Sequence, residues 1–254
     1  MSKKYKFSYY SSNKILDWSL GDNKKLFEKN CKKYPNNKSL KYYKENPIEY
    51  SFNNYGFRTP DDFNSIDEGN VFLGDSHTMG NALHLKNVWS YTLNKKIGGK
   101  FWNLSQGGSS IQTDYRLLLG WKDDLKIKNI FHFTIPHPRY EFFYDGGILD
   151  LKLWGDSSIW RVDTGYREKI PNYQLKFFED VLIEEEYCNY NQTAYINAIK
   201  GVTKDMGCNY YYMTDEIFKD FNEVDDDSFQ ARDLIHYSID KQNFIYNKFY
   251  EIIE

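Results

Sequence analysis

The spacing of apolar positions changes near Asn70. Residues 1–69 are polar, rich in Asn, Lys and Tyr, and weakly periodic, and they predict one helix, at 23–33, with turns at Pro35 and Pro47. Beyond them, short apolar runs alternate with segments of helical periodicity, which is typical of a parallel sheet covered by helices on both faces. The chain is therefore predicted to be an α/β protein.

Four strands and four helices are predicted beyond residue 69. The third strand is the clearest, because it is rich in β-branched and aromatic residues and is followed by Pro136. The predicted strands cover 70–73, 100–104, 127–135 and 208–213. The predicted helices cover 78–95, 111–122, 193–206 and 238–253.

The pattern divides the chain into an N-terminal extension, 1–69, packed on a main domain, 70–254. Within that domain the alternation is lost between about 140 and 188, where Trp, Tyr, Gly and acidic residues are frequent. A long irregular excursion in a compact domain is usually a lid, a binding loop or an oligomer contact. We therefore predict an irregular insertion at about 140–188.

Composition and charge narrow the classes of partner. The 254 residues are 41% hydrophobic and 27% charged, as in soluble globular proteins. The net charge is −3, and Lys and Arg are dispersed along the chain, so the sequence does not indicate the basic patch that binds nucleic acid. No apolar run of signal-peptide or membrane-spanning length is present. We expect synthesis in the cytoplasm and neither nucleic acid nor membrane as a partner.

Cysteines and acidic runs do not indicate a metal or cofactor site. Cys31, Cys188 and Cys208 are odd in number and lack paired ligand spacing, so free thiols are expected. The acidic runs 184–186 and 225–227 are typical of solvated surface. Aromatic residues reach 19%, and such rings can cover a sugar face or build the core.

Ser76 is the first candidate for chemistry. It follows a predicted strand that ends in Gly74-Asp75, and a helix is predicted directly afterwards. This places the hydroxyl at the carboxyl edge of the sheet, where open α/β folds build their sites, with unpaired helix N–H groups close by. Asp-Ser is also an ordinary helix cap, so this motif alone is weak.

Asp233 and His236 form the second candidate, in a loop before the last helix. A serine hydroxyl needs a base to remove its proton, and a carboxylate must hold the imidazole in the correct tautomer. At a spacing of three residues in a turn, Asp and His side chains lie on one side of the chain. The loop follows a predicted strand and is expected at the same sheet edge as Ser76.

Together these residues resemble the SGNH (GDSL-like) serine hydrolases. Residues 71–80 resemble the first block of the family, 103–110 (NLSQGGSS) the second and 233–236 the last, in the order of the family. Residues 54–58 resemble a segment that often precedes the first block in related bacterial and phage proteins. The resemblance implies a three-layer, flavodoxin-like α/β/α fold with Ser76, Asp233 and His236 as catalytic residues.

The family also implies an oxyanion hole. The N–H groups of Ser76 and Gly108 are the expected donors, with Gly107 as the alternative to Gly108. The third block of the family supplies an Asn donor after the central strand, but this chain has no Asn there. His137 or Arg139 could replace it, Arg139 could instead pair with Glu141 or another acid of the 140–188 segment, or the hole could be reduced to backbone groups.

The implied activity is hydrolysis of a short acyl ester, such as an acetyl ester, on a small molecule or carbohydrate, through an acyl-enzyme. Two alternatives stay open: an O-acyltransferase with the same triad, and a non-catalytic binding or virion structural protein that keeps the fold. Further residues are expected to line the site: Asp75, His77 and Thr78. His132, inside a strand, is expected to be a satisfied core histidine.

Overall fold

The structure is a computed structural model that describes residues 3–19, 21–135, 138–144, 147–152, 158–161, 166–169, 176, 180–221 and 229–254. Its strands are β1 (Ile15–Leu16), β2 (Tyr50–Ser51), β3 (Glu68–Gly74), β4 (Lys100–Asn103), β5 (Lys126–Thr134), β6 (Arg139–Tyr144), β7 (Gly147–Lys152), β8 (Ser158–Arg161), β9 (Tyr166–Lys169) and β10 (Asn209–Thr214). Its α-helices are α1 (Lys24–Lys33), α2 (Lys38–Glu45), α3 (Ser76–Met79), α4 (Trp89–Ile97), α5 (Ile111–Trp121), α6 (Glu185–Met206) and α7 (Ile239–Glu251).

Four parallel strands form the central sheet, in the order β10-β5-β3-β4. These are the four strands that the apolar runs predict, so this part of the prediction is confirmed. The chain passes from β3 to β4 on one side and then crosses to β5 on the other side of β3. The carboxyl end of β3 therefore lies at the point where the connections diverge, the usual place for a site in an open α/β sheet.

Successive side chains of β3 point to opposite faces of the sheet, and both sets are apolar, so helices cover both faces. Phe72 packs on one face in a cluster with α4 and α7 that includes Trp89. Leu73 packs on the other face with α5 and α6, through residues such as Leu118 and Ile199. The mixed α/β architecture with helices flanking a parallel sheet is consistent with a flavodoxin-like fold.

The prediction of a single helix at 78–95 is wrong. α3 ends at Met79, a separate 3₁₀ turn covers Leu85–Asn87, and α4 begins only at Trp89. Gly80 has φ +83° and Ala82 has φ +59°, and left-handed residues end a helix. The break at Gly80 turns the chain away one helical turn after Ser76.

The segment predicted as an irregular insertion at about 140–188 is not irregular over its described part. β6, β7, β8 and β9 form a four-stranded antiparallel sheet in chain order, and α6 begins at Glu185. Asp145-Gly146, between an aromatic run and an apolar run, is a hairpin signal in the sequence. Short strands of four to six residues kept the two-residue alternation too brief to stand out.

The N-terminal residues pack against the turns beside the central sheet. Tyr43, Ile48, Tyr50 and Phe52 share a buried cluster with Ala82, Leu83, Val88 and Ala231. Three of these partners follow α3 in the chain, and Ala231 precedes Asp233. Across the part of the chain that the structure describes, no helix is long and apolar enough to cross a bilayer.

Candidate active site

Ser76 is the first residue of α3, directly beyond the end of β3. Asp75 caps the helix, because its side chain accepts a hydrogen bond from the His77 N–H at 3.0 Å. Gly74 has φ +139°, and a Cβ there would lie 2.3 Å from the Phe133 carbonyl oxygen, so only glycine fits. Since α3 is one turn long, the expected helix dipole is small and the individual N–H groups matter more.

The second block lies beside Ser76 because two of its residues bind the end of β3. The Gln106 N–H and the Ser109 hydroxyl both donate to the Gly74 carbonyl at 3.2 Å. Gly108, between them, has φ +78°. Within the described residues, neither the Ser76 N–H nor the Gly108 N–H donates a hydrogen bond, so both can serve an oxyanion.

Gly107 is less suited to that role. A Cβ on Gly107 would come within 2.5 Å of the Tyr10 hydroxyl oxygen, so this hydroxyl lies directly against it. Burial raises the pKa of Tyr10 to about 12, and the phenol is therefore neutral near pH 7. Gly108 is the better candidate of the two.

Asp233 and His236 form a close pair in the loop before α7. The Asp233 carboxylate accepts a hydrogen bond from His236 Nδ1 at 2.5 Å and further bonds from the N–H groups of Ile235 and His236 at 3.0 and 3.1 Å. Leu234, between the two, has φ +60°. A non-glycine residue in this region is strained, and such strain is often found at functional sites.

The charge state of Asp233 determines the tautomer of His236. Burial alone would raise the pKa of Asp233, but the hydrogen bond and charge of His236 and the two N–H donors outweigh it and lower that pKa. The carboxylate is therefore ionised near pH 7, and Nδ1 of His236 carries the proton that it accepts. The neutral ring then has its lone pair on Nε2, the atom that a general base uses.

The acid-base pair lies beside the turn that carries Ser76. The ring of His77 lies 5.0 Å from that of His236, centroid to centroid. A Cβ on Gly21 would be 3.2 Å from Asn81 Nδ2 and 3.7 Å from His236 Cε1, and the Asn81 N–H donates to the Ser76 carbonyl at 2.8 Å. Within the described residues the Ser76 hydroxyl makes no hydrogen bond, so its contact with His236 is not formed in this state.

His77 is a neutral histidine at the edge of this site. Its ring lies against that of Tyr237, with the centroids 3.8 Å apart and the planes tilted by 31°, and its Nδ1 accepts a hydrogen bond from the Tyr237 N–H at 3.5 Å. Burial lowers the pKa of His77 to about 3, although neighbouring Asp75 opposes this. Thr78 is completely buried, and its expected place in the lining of the site stays a prediction.

Arg139 contacts the first and second blocks. Its Nη1 donates to the Asp75 carboxylate at 2.9 Å and to the Ser109 carbonyl at 3.3 Å. Burial opposes ionisation of Asp75, but His77, Arg139 and the His77 N–H outweigh it and lower its pKa. Glu141, which was the expected alternative partner of Arg139, instead forms an ion pair with Arg116 at 2.6 Å. His137 lies outside the described residues.

A small cavity of about 40 Å³ adjoins the Asp75–Arg139 pair. It lies between the start of α5, the end of β5 and α6, and its polar lining includes Ser109, Asp114 and Gln192. Ser76, Asp233 and His236 do not line it. The cavity therefore lies next to the candidate site, and the three candidate catalytic side chains are not part of its wall.

Several contacts of buried polar residues near the site were not predicted from the sequence. His132 is a satisfied core histidine, as expected, but its partners are Asp114 at 3.1 Å and the Tyr210 hydroxyl at 2.8 Å. Asp22 and Arg232 form a buried ion pair next to Asp233. The position of Arg232, directly before the Asp-x-x-His motif, was the available signal for this pair.

Cys31, Cys188 and Cys208 are free thiols, as expected. Over the described residues, no group of three or more His, Cys, Asp or Glu side chains is arranged to hold a metal ion. Comparison of the chain with protein-family models and with curated proteins finds no match.

Proposed function

We propose that this protein is a serine esterase of the SGNH kind that hydrolyses a short acyl ester. The observation that carries the proposal is the Asp233–His236 pair. The Asp233 carboxylate accepts a hydrogen bond from His236 Nδ1, which leaves His236 Nε2 free to act as a base. The pair lies beside the turn that carries Ser76 at the end of a central parallel strand. Ser76, His236 and Asp233 would act as nucleophile, base and orienting acid.

The reaction would proceed in two steps. Ser76 Oγ attacks the ester carbonyl while its proton passes to His236 Nε2, and the N–H groups of Ser76 and Gly108 bind the oxyanion. The alcohol leaves with the proton from His236. Water then loses a proton to His236 and attacks the acyl-enzyme, and this releases the acid and regenerates Ser76.

The third oxyanion donor of the family has no equivalent in these contacts. Arg139 is engaged by Asp75 and by the Ser109 carbonyl, so its described contacts favour a role as the counter-charge of Asp75. A hole of two backbone donors is the simplest account. Loss of one such donor typically lowers turnover by about 10²–10³-fold, so slow turnover is expected.

A fluorophosphonate probe tests the proposal directly. Labelling should occur on Ser76, as shown by mass spectrometry of the labelled peptide, and S76A and H236A should abolish it. S12A, at an exposed serine, is the control that should label like the parent. D233N should slow turnover of an activated acetyl ester by about 10³–10⁴-fold, since the wrong tautomer would face the serine.

Other outcomes identify the alternatives. Absence of labelling on Ser76 in the folded protein would contradict the esterase and favour the non-catalytic alternative, for which the unbonded Ser76 hydroxyl is the supporting observation. Labelling together with transfer of the acyl group to an added saccharide, rather than release of free acid, would identify an acyltransferase.

A further inference from the structure

A buried ion pair joins the N-terminal segment to the acid-base loop. Arg232 directly precedes Asp233, and its guanidinium bonds both carboxylate oxygens of Asp22, with a shortest distance of 2.6 Å. The same guanidinium donates to the Asp17 carbonyl at 2.7 Å and stacks on Trp18 at 3.9 Å. The side chains of Arg232 and Asp22 are 2% and 0% exposed, so solvent does not screen the pair.

The carboxylate of Asp22 also reaches the turn that follows Ser76. The Tyr50 hydroxyl donates to Asp22 Oδ2 at 2.5 Å and accepts from the Ala82 N–H at 2.7 Å. The Arg232 N–H donates to the Ala82 carbonyl at 2.9 Å. Both polar groups of Ala82, which is held at φ +59°, are thus fixed by this cluster.

The acid-base loop has further contacts with the same N-terminal segment. Asn30 of α1 donates to the Asp233 carbonyl at 3.0 Å, and Gly21 approaches His236 Cε1. The turn 76–82 and the loop 231–236 are thus bound to one hub, the Asp22 carboxylate and its two partners, Tyr50 and Arg232.

Stability alone does not account for such a pair. Removing two charges from water costs several kcal/mol per ion, and an apolar replacement of similar volume is often as stable. The pair does fix orientation, because the guanidinium and carboxylate planes must align to form several bonds. What it orients here are the two segments whose relative position sets the Ser76–His236 distance.

We propose that Asp22, Arg232 and Tyr50 are positioning residues for the acid-base loop. Among the described residues none of them is hydrogen-bonded to Ser76, and they act through Ala82 and Asp233 to hold His236 in reach of the nucleophile. This inference rests on the proposed esterase activity for its kinetic consequence. The structural part, that the geometry of the Asp233–His236 pair depends on Asp22, stands separately.

A second buried pair in the same chain provides matched controls. Glu141 binds Arg116 at 2.6 Å with both side chains 3% exposed, and the Tyr9 hydroxyl donates to Glu141 as the Tyr50 hydroxyl donates to Asp22. D22N and E141Q each remove one buried charge, and Y50F and Y9F each remove one buried hydroxyl. All four should lower the thermal midpoint.

Only the variants at Asp22 and Tyr50 should lower the rate of ester hydrolysis. With an activated acetyl ester, D22N should lower kcat by at least about tenfold, with KM changed less than about twofold, and Y50F should lower it in the same direction. E141Q and Y9F should keep kcat within about twofold of the parent. Should D22N fail to fold, Y50F against Y9F decides the question.

A spectroscopic measurement separates this inference from the proposed function. The proton shared by His236 Nδ1 and Asp233 should give a far-downfield proton NMR signal, which D22N should shift or abolish and E141Q should retain. A parent protein without esterase activity but with this pattern would remove the proposed function and keep the positioning role. A folded D22N with parental kcat and an unchanged signal would overturn the inference.

Discussion

At the scale of single residues, His77 illustrates how a buried neutral group affects stability. The folded state holds its pKa at about 3, chiefly through burial, whereas a histidine in an unfolded chain has a pKa of about 6.5. Between these two values the unfolded chain binds a proton that the folded chain does not. The free energy of unfolding therefore falls as pH falls through this window, and the contribution is fully present above about pH 6.5.

Replacing His77 by Gln should remove that proton linkage. Between pH 4 and 6 the slope of unfolding free energy against pH should become smaller by about 1.4 kcal/mol per pH unit, the value for one proton. Denaturant titrations at several pH values measure it. Y237F, which keeps an aromatic ring against His77, is the control that should leave the slope unchanged. An unchanged slope in H77Q would contradict the buried, neutral His77.

The Asp233–His236 pair also belongs to the residue scale, and it was predictable from the sequence. The spacing of Asp233 and His236 predicted one shared turn, and the structure has His236 Nδ1 bonded to Asp233. The roles of Asp22 and Arg232 were not predictable, because a charged residue in a sequence does not reveal its partner 210 positions away. The same applies to Arg139, whose partner Asp75 precedes it by 64 residues.

At the scale of elements, the end of β3 tolerates no side chain at Gly74. A Cβ would lie 2.3 Å from the Phe133 carbonyl oxygen and 2.5 Å from Thr78 Oγ1, and φ is +139°. G74A should therefore force β3 away from β5 or displace the α3 turn, with a loss of at least about 3 kcal/mol in unfolding free energy. Circular dichroism and thermal unfolding measure this.

Gly201 is the matched control for that substitution. It lies in α6, where no atom comes within 4 Å of an added Cβ, and alanine is a better helix former by about 1 kcal/mol. G201A should raise the thermal midpoint. If G74A were as stable as G201A, the close approach of β3 to the Phe133 carbonyl would be wrong.

The elements predicted correctly share a strong local signal. β3, β4 and β5 contain buried apolar runs, and the edge strand β10 is a half-buried run of aromatic residues, so their sequences differ clearly from their surroundings. The turn at Gly80–Ala82 was missed because alanine rarely adopts a positive φ, and here it does so with both its polar groups bound by Tyr50 and Arg232. Tertiary contacts thus overrode a local helical pattern.

At the scale of the whole molecule, residues before β3 and residues after β10 are held in place by contacts with distant parts of the chain. Residues 17–30 contact the loop 231–236, and Gln242 of α7 accepts from the Trp89 N–H of α4 at 2.9 Å. A chain that ends before residue 229 would leave Asp22 buried without Arg232 and expose the α4 face of the sheet. It should be insoluble or lose the protection of residues 3–33 against limited proteolysis.

A chain that ends at Glu251 is the control for that truncation. It lacks only the short segment after α7, in which Ile252 is exposed, and it should resist proteolysis like the parent. Equal resistance of the chain that ends before residue 229 would show that residues 3–33 are held without the C-terminal loop.

The separation of Asp22 and Arg232 also has a consequence during synthesis. At about 5–20 residues per second, the ribosome adds Arg232 on the order of 10–40 s after Asp22. Ser76 and the strands around it can associate in that interval, whereas the carboxylate of Asp22 stays hydrated until its partner emerges. The nascent chain would therefore bring Ser76 into place well before it can fix the loop that carries Asp233 and His236.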